Sequence, residues 1–182
     1  TMLWQPSTAF VNNSNLKHYM HWLQQTKALT FRDYHQLWQW SVDNIDDFWE
    51  SLWQYFDILH DGSYDQVCSL DNMPHVKWFD GTSLNYAEHV FRKATDQHPA
   101  IIFQSESGEA KTTHWSELRD QVASLQHHLK RSGVQAGDRI AAYLPCIPEA
   151  TVAFLAVNAL GGVWSSCSPD FGTNAVIDRF AQ

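Results

Sequence analysis

Ten histidines and three cysteines are the residues of this 182-residue chain best suited to metal or nucleophilic chemistry. His18 and His21 stand three apart, as i and i+3 on one helix would, and His127 and His128 are adjacent. No HExxH or CxxC accompanies them, and no carboxylate stands where it would complete a site. Surface histidines are therefore the expectation, and no metal ligand is named. Cys68, Cys146 and Cys167 are odd in number and widely spaced, as in a reduced thiol set of a cytoplasmic protein. Phosphate chemistry has no local signature either: GxSxG, GxGxxG and GxxxxGKS/T are all missing. Gly161-Gly162 precedes a strand and reads as a turn.

The segment WSSCSPDFG, Trp164 to Gly172, is the most informative one. It lies between a candidate parallel strand and a helix beginning near Thr173. Ligands of open α/β sheets bind beyond the carboxyl ends of strands, against helix N-termini. Asp170 would repel a phosphate there, so the local pattern favours a tight turn in which Asp170 satisfies backbone donors.

The first half of the chain must supply helices. Asn15 is read as the cap of a helix with Leu16, Tyr19, Met20 and Leu23 on one face. Thr30 and Asp33 form a capping pair ahead of Tyr34, Leu37 and Trp38. In SVDNIDDFWESLWQYFDILHDG, the residues Ile45, Phe48, Trp49, Leu52, Trp53 and Phe56 keep helical spacing. Asp43, Asp46 and Asp47 suit its N-terminal end, and Asp61-Gly62 is expected to stop it. Rings at this spacing point to packing and not to a ligand groove. Residues 62–80 read as a connecting arm. In WFDGTSLNYAEHVF, Thr82 or Ser83 should cap a helix burying Leu84, Ala87, Phe91 and Ala94. Asn85 and Tyr86 fall off that face, free to bond a neighbouring segment.

From Pro99 the pattern becomes α/β. Residues 100–103 and 111–113 make a hairpin around the turn Ser105-Glu106-Ser107-Gly108. Trp115, Leu118, Val122, Leu125 and Leu129 mark a helix ending at Gly133. Residues 139–144 form a strand whose apolar interior suits a sheet covered on both faces. Pro148 opens a helix lined by Ala150, Ala153, Ala156 and Ala159, and residues 162–166 form the next strand. This order implies βαβ crossovers and a mostly parallel sheet.

Net charge is −8, which argues against a nucleic-acid or anionic-membrane surface. Nothing approaches the roughly 20 apolar residues of a membrane span, and TMLWQPSTAF has no secretory signal pattern. Residues 1–98 hold 6 Lys/Arg against 12 Asp/Glu and seven of the nine tryptophans. Residues 99–182 hold 6 against 8, so His98-Pro99 is the expected boundary between a helical 1–98 and an α/β 99–182. Hydrophobic content of 44% is enough for a sizeable core, so a folded chain is the expectation.

WFDGTSLNYAEHVF resembles the signature that joins the helical N-terminal extension to the main domain in acetyl-CoA synthetase-like adenylate-forming ligases. SVDNIDDFWESLWQYFDI is similar to the Trp-rich helix of that extension, and residues 99–166 look like the start of the AMP-binding domain. LWQPSTAF, NSNLKHYMHWL and WSSCSPDFG look most like the acetoacetate-activating branch. The resemblance implies an α/β fold with a Trp-rich helical extension, followed by the first βαβ units of an adenylate-forming domain. It implies a carboxylate activated with ATP and Mg²⁺ and then passed from the adenylate to CoA, with acetate, propionate or another short acid as the alternative substrate. A stand-alone partner-binding module is the reading from another class. Further implications are small-molecule substrates, no nucleic acid, no membrane and a cytoplasmic location. Ser168, Pro169, Asp170 and Phe171 match a loop near CoA, while Trp78, Phe79, Gly81, Leu84, Asn85 and Tyr86 are a structural clasp. The phosphate loop and catalytic lysine are expected beyond Gln182. This chain is then an inactive N-terminal fragment with no tightly bound cofactor, and Thr1 is a cloning remnant.

Overall fold

The computed structural model describes residues 3–69, 74–106 and 108–181; Thr1, Ser107 of the hairpin turn and Gln182 lie outside them. Two compact units emerge, Thr1–Ser83 and Leu84–Gln182. The division falls earlier than the composition shift at His98-Pro99, because the helix after Asn85 packs with the α/β elements.

In the first unit, short polar side chains start the helices. Ser7 caps α1 (Thr8–Asn12), Ser14 caps α2 (Asn15–Lys27) and Asp33 caps α3 (Tyr34–Asp43). Asn15 is thus the first residue inside its helix, and Asp33 is itself the cap. Asp33 accepts the Gln36 N–H at 3.0 Å, which, with Arg32 beside it, holds its carboxyl below the usual range. The Trp-rich helix begins at Ile45, the first residue of its expected stripe. Asn44 leaves helical geometry, and its side chain donates to the Trp40 carbonyl at 3.2 Å, so α4 (Ile45–Tyr55) starts afresh. Asp46 and Asp47 lie in its first turn, whereas Asp43 ends α3. Asp57 stops α4 in a left-handed conformation, with the Ile58 N–H returning to the Trp53 carbonyl. Asp61-Gly62, expected as the stop, instead forms β1, paired antiparallel with β2 (Thr82–Ser83).

The core of this unit gathers Tyr19, Leu23 and Leu37, with Trp40, Phe48 and Leu52 packed against them. Tyr19 Oη and Ser51 Oγ lie 2.5 Å apart, and Ser51 also donates to the Phe48 carbonyl at 2.7 Å. The α4 stripe therefore serves two neighbours. Phe48 and Leu52 face the other helices, while Trp53 stacks on Phe79 at 4.1 Å.

The second unit opens with α5 (Tyr86–Arg92), capped by Asn85; Thr82 and Ser83 are strand. Leu84 is exposed and precedes the helix, so of the expected inward set Ala87 is the buried residue, with Phe91 packed beside it. β3 (Ile101–Phe103) and β4 (Lys111–Thr113) form the antiparallel hairpin. The amphipathic α6 (Trp115–Arg131) buries Leu118 and Val122 against Val152, Leu155 and Ala156 of α7 (Pro148–Ala159). β5 (Arg139–Tyr143) and β6 (Val163–Cys167) flank α7 and pair in parallel, making one βαβ unit. A Cβ on Gly162 would come within 2.9 Å of the Val157 side chain, so glycine lets the chain turn closely from α7 into β6. Among the described residues the parallel sheet is only this pair. In β5, Arg139, Ala141 and Tyr143 are exposed while Ile140 and Ala142 are half-buried, so the expected covering of both faces is not supplied by these residues. The last element is α8 (Thr173–Phe180).

Candidate functional site

The carboxyl ends of parallel strands are where an open α/β sheet presents its ligand-facing loops. Here Tyr143, the last residue of β5, lies in register with Cys167, the last residue of β6. The Leu144 N–H donates to the Cys167 carbonyl at 3.2 Å, carrying the pairing one step further. The chain then turns through Ser168, Pro169, Asp170 and Phe171 to Gly172, which leads into α8.

Four hydrogen bonds give that turn its shape. The Phe171 N–H donates to the Ser168 carbonyl at 3.1 Å. Ser168 Oγ donates to Asp170 Oδ2 at 3.1 Å, so the carboxylate takes a side-chain hydroxyl where backbone donors were expected. The Tyr143 hydroxyl reaches the carbonyls of Pro169 at 2.8 Å and Phe171 at 2.9 Å. From α8, the Arg179 guanidinium carbon sits 5.2 Å from the centre of the Phe171 ring. Tyr143 and Arg179 were not legible as site residues. One reads as a strand residue and the other as a surface cation, and only the register of β5 with β6 brings the tyrosine to the turn.

The clasp residues divide between the two units. In the first, the Trp78 ring meets Trp49 at 5.5 Å, and Phe79, buried and left-handed at φ 47°, receives Trp53. The Phe79 N–H donates to the Val67 carbonyl at 2.8 Å. Gly81 has φ 96°, and a Cβ there would stand 2.5 Å from the Ser63 carbonyl oxygen. In the second unit, Asn85 Oδ1 accepts the N–H groups of Ala87 and Glu88, while Nδ2 donates to the Asn158 carbonyl at 3.0 Å. Tyr86 meets Phe154 edge-on at 5.6 Å.

Other candidates are less organised. Among the described residues no cluster of three His, Cys, Asp or Glu side chains could hold a metal ion. Cys68 and Cys167 are buried, Cys146 is exposed, and all three are free thiols. A groove of about 600 Å³ in the first unit is lined by Leu16, Tyr19, Leu37, Trp38 and Phe48 among others, with few converging polar groups. No helix among the described residues is long and apolar enough to cross a membrane.

A nucleotide triphosphate with its metal does not fit the described residues. The Asp170 carboxylate at the turn would repel phosphates, and no cluster of His, Cys, Asp or Glu among the described residues could hold the metal.

Residues 34–90 match the family model described as acetyl-coenzyme A synthetase N-terminus, and residues 88–182, more than half of the chain, match the AMP-binding enzyme model. An acetoacetyl-coenzyme A synthetase of Rhizobium meliloti is 36% identical over 180 residues, covering 99% of this chain and 28% of the relative. The acetoacetyl-CoA synthetase of Macaca fascicularis is 34% identical over 187 residues, covering 100% of this chain and 27% of the relative. A solved acetoacetyl-CoA synthetase from Streptomyces lividans superposes with a TM-score of 0.94 at 42% identity, covering 100% of this chain and 28% of that one. The chain therefore spans little more than a quarter of the length of the relatives it matches.

Proposed function

Since the chain belongs to the AMP-binding enzyme family, we propose that it is the N-terminal part of an AMP-forming acetoacetate–CoA ligase. The whole protein would convert acetoacetate, ATP and CoA to acetoacetyl-CoA, AMP and pyrophosphate through an acyl-adenylate. Mg²⁺ would neutralise charge on the ATP phosphates, held by parts of the protein outside this chain. The substrates are small molecules, the location is cytoplasmic, and this chain alone holds no cofactor tightly. Ser168, Pro169, Asp170 and Phe171 are assigned to the approach of CoA.

The observation that carries this reading is the joint match of both units to one solved acetoacetyl-CoA synthetase. A likeness confined to the α/β unit would support the broad family alone, whereas the Trp-rich unit is matched too. Trp78, Phe79 and Gly81, anchored in the first unit, and Leu84, Asn85 and Tyr86, at the start of the second, act in this reading as the structural clasp between extension and domain. Each half is fixed within its own unit by the contacts given above.

The test is CoA-dependent AMP release by the full-length protein with acetoacetate, acetate, propionate and butyrate in parallel. A pocket that hydrogen-bonds the second carbonyl of acetoacetate would leave a polar group unpaired with a plain aliphatic acid, so discrimination of up to about 10⁴-fold is expected. A higher kcat/KM for acetate or propionate would replace the acid while keeping the ligase. No AMP release with any of the four would overturn the reading.

A further inference from the structure

We propose that Tyr143 is a positioning residue that shapes the Ser168–Phe171 turn to receive the thiol-bearing arm of CoA; this rests on the ligase reading above. A phenol has one O–H, yet the Tyr143 hydroxyl lies 2.8 Å from the Pro169 carbonyl and 2.9 Å from the Phe171 carbonyl. Neither acceptor can donate back, so the single proton is shared between them. Both carbonyls, which flank Asp170, are thereby drawn to one point at the end of β5.

Peptide planarity carries the consequence across each bond. In a trans peptide the N–H points opposite to the C=O of the same unit. Turning the Pro169 and Phe171 carbonyls toward Tyr143 turns the N–H groups of Asp170 and Gly172 away from it. Among the described residues no acceptor takes either N–H. The turn so held presents two backbone donors on its outer side, beside the exposed Phe171 ring that Arg179 faces. The Asp170 carboxylate disfavours a phosphate at this place. Two donors and an aromatic ring beside a negative charge suit a neutral chain of amide carbonyls, which is the chemistry of the arm that ends in the CoA thiol.

A tyrosine that merely decorates the strand end would predict none of this. The two acceptors lie 26 and 28 residues away in sequence, both on the one turn. Removing the hydroxyl frees both peptide units to rotate, while the ring and the strand remain.

The experiment compares full-length wild type with Tyr143→Phe, Arg179→Ala and Arg179→Lys in three measurements. Acid-dependent exchange of pyrophosphate into ATP reports adenylate formation without CoA. Steady-state AMP release reports the KM for CoA against kcat. Hydrogen exchange of residues 168–172 in the ligand-free protein reports the turn itself. Tyr143→Phe is expected to raise the KM for CoA about tenfold, with kcat at saturating CoA and the KM for acid changed less than twofold, as for loss of one shared hydrogen bond. The Phe171 amide should exchange about tenfold faster. Arg179→Ala should move the KM for CoA about threefold in the same direction, and Arg179→Lys should restore it. An unchanged KM for CoA, or equal losses in exchange and thioester formation, would overturn the role of Tyr143 while leaving the ligase reading intact. Absence of exchange and of AMP release in wild type would remove the ligase reading and this inference with it.

Discussion

Asn85 is the clasp residue whose contribution can be worked out bond by bond. Its Oδ1 accepts from the N–H groups of Ala87 and Glu88 at the start of α5, and its Nδ2 donates to the Asn158 carbonyl at the end of α7. Asn85→Ala removes both functions. Loss of an N-cap costs about 1 kcal/mol, and loss of one tertiary hydrogen bond from a half-buried donor costs about 1 kcal/mol more. The Asn158 carbonyl keeps the Gly161 N–H as a partner, so no buried acceptor is orphaned and no further penalty applies. The expected total is about 2 kcal/mol. With a urea slope of about 1–2 kcal/mol/M, the midpoint should fall by roughly 1–2 M.

Asn85→Asp separates the two functions. A carboxylate caps as well as an amide but cannot donate, and it would place an anionic oxygen against the Asn158 carbonyl. This variant should lose about 1 kcal/mol or somewhat more while α5 keeps its cap. The assay is urea unfolding followed by far-UV circular dichroism, with hydrogen exchange at α5 and α7 to locate the loss. A cost below about 0.5 kcal/mol for alanine would refute the cap-plus-bridge account. Equal losses for alanine and aspartate would refute the cap alone and leave the bridge as the whole effect.

The remaining predictions concern the first unit. Trp53→Ala should cost about 3 kcal/mol, because the ring stacks on Phe79 and meets His60 and Tyr64 edge-on. Trp49→Ala should cost about 1 kcal/mol, since that side chain is 43% exposed; urea melts showing the reverse order would overturn the packing described for α4. Burial pushes the Tyr19 phenol above its usual value of 10.0, with Ser51 opposing and Tyr55 adding, and burial followed by Glu50 raises Tyr64 likewise. The neutral phenols are favoured in the folded state, so their contribution is intact below about pH 10 and is lost as pH rises through the folded values. Urea midpoints should be level from pH 8 to 9 and fall above 10. Tyr19→Phe should shrink that fall, whereas an unchanged fall in both Tyr19→Phe and Tyr64→Phe would refute the assignment.

The architecture was largely readable because amphipathic periodicity survives in each element that has one buried face. The Trp115, Leu118, Val122 stripe predicts α6, and the Pro148 start with its alanine-lined run predicts α7. What failed were boundaries governed by a single polar side chain. Asn15 reads as a cap, yet Ser14 takes that place and Asn15 is the first residue inside α2. Thr82 and Ser83 read as the cap of α5, yet Asn85 holds that place, and Asn85-Tyr86-Ala87-Glu88 has a capping residue followed three positions later by glutamate. The pairing of Thr82 with Gly62 places those two residues in a strand, a relation no short window contains.

The candidate site resists reading from sequence for a deeper reason. SPDFG is a local string, so its turn and its neighbouring helix are legible, and its likeness to a CoA-proximal loop can be noticed. The orientation of its peptide planes is not local. It depends on a hydroxyl delivered by β5, and the parallel register of β5 with β6 depends in turn on α7 having the length and small residues to cross between them. Tyr143 alternates with half-buried Ile140 and Ala142 as any exposed strand residue would, so periodicity assigns it to the surface and stops there. A residue whose role is to aim another segment's backbone leaves no pattern of its own in sequence. It becomes visible only when the two acceptors on the distant turn are found to converge on one donor.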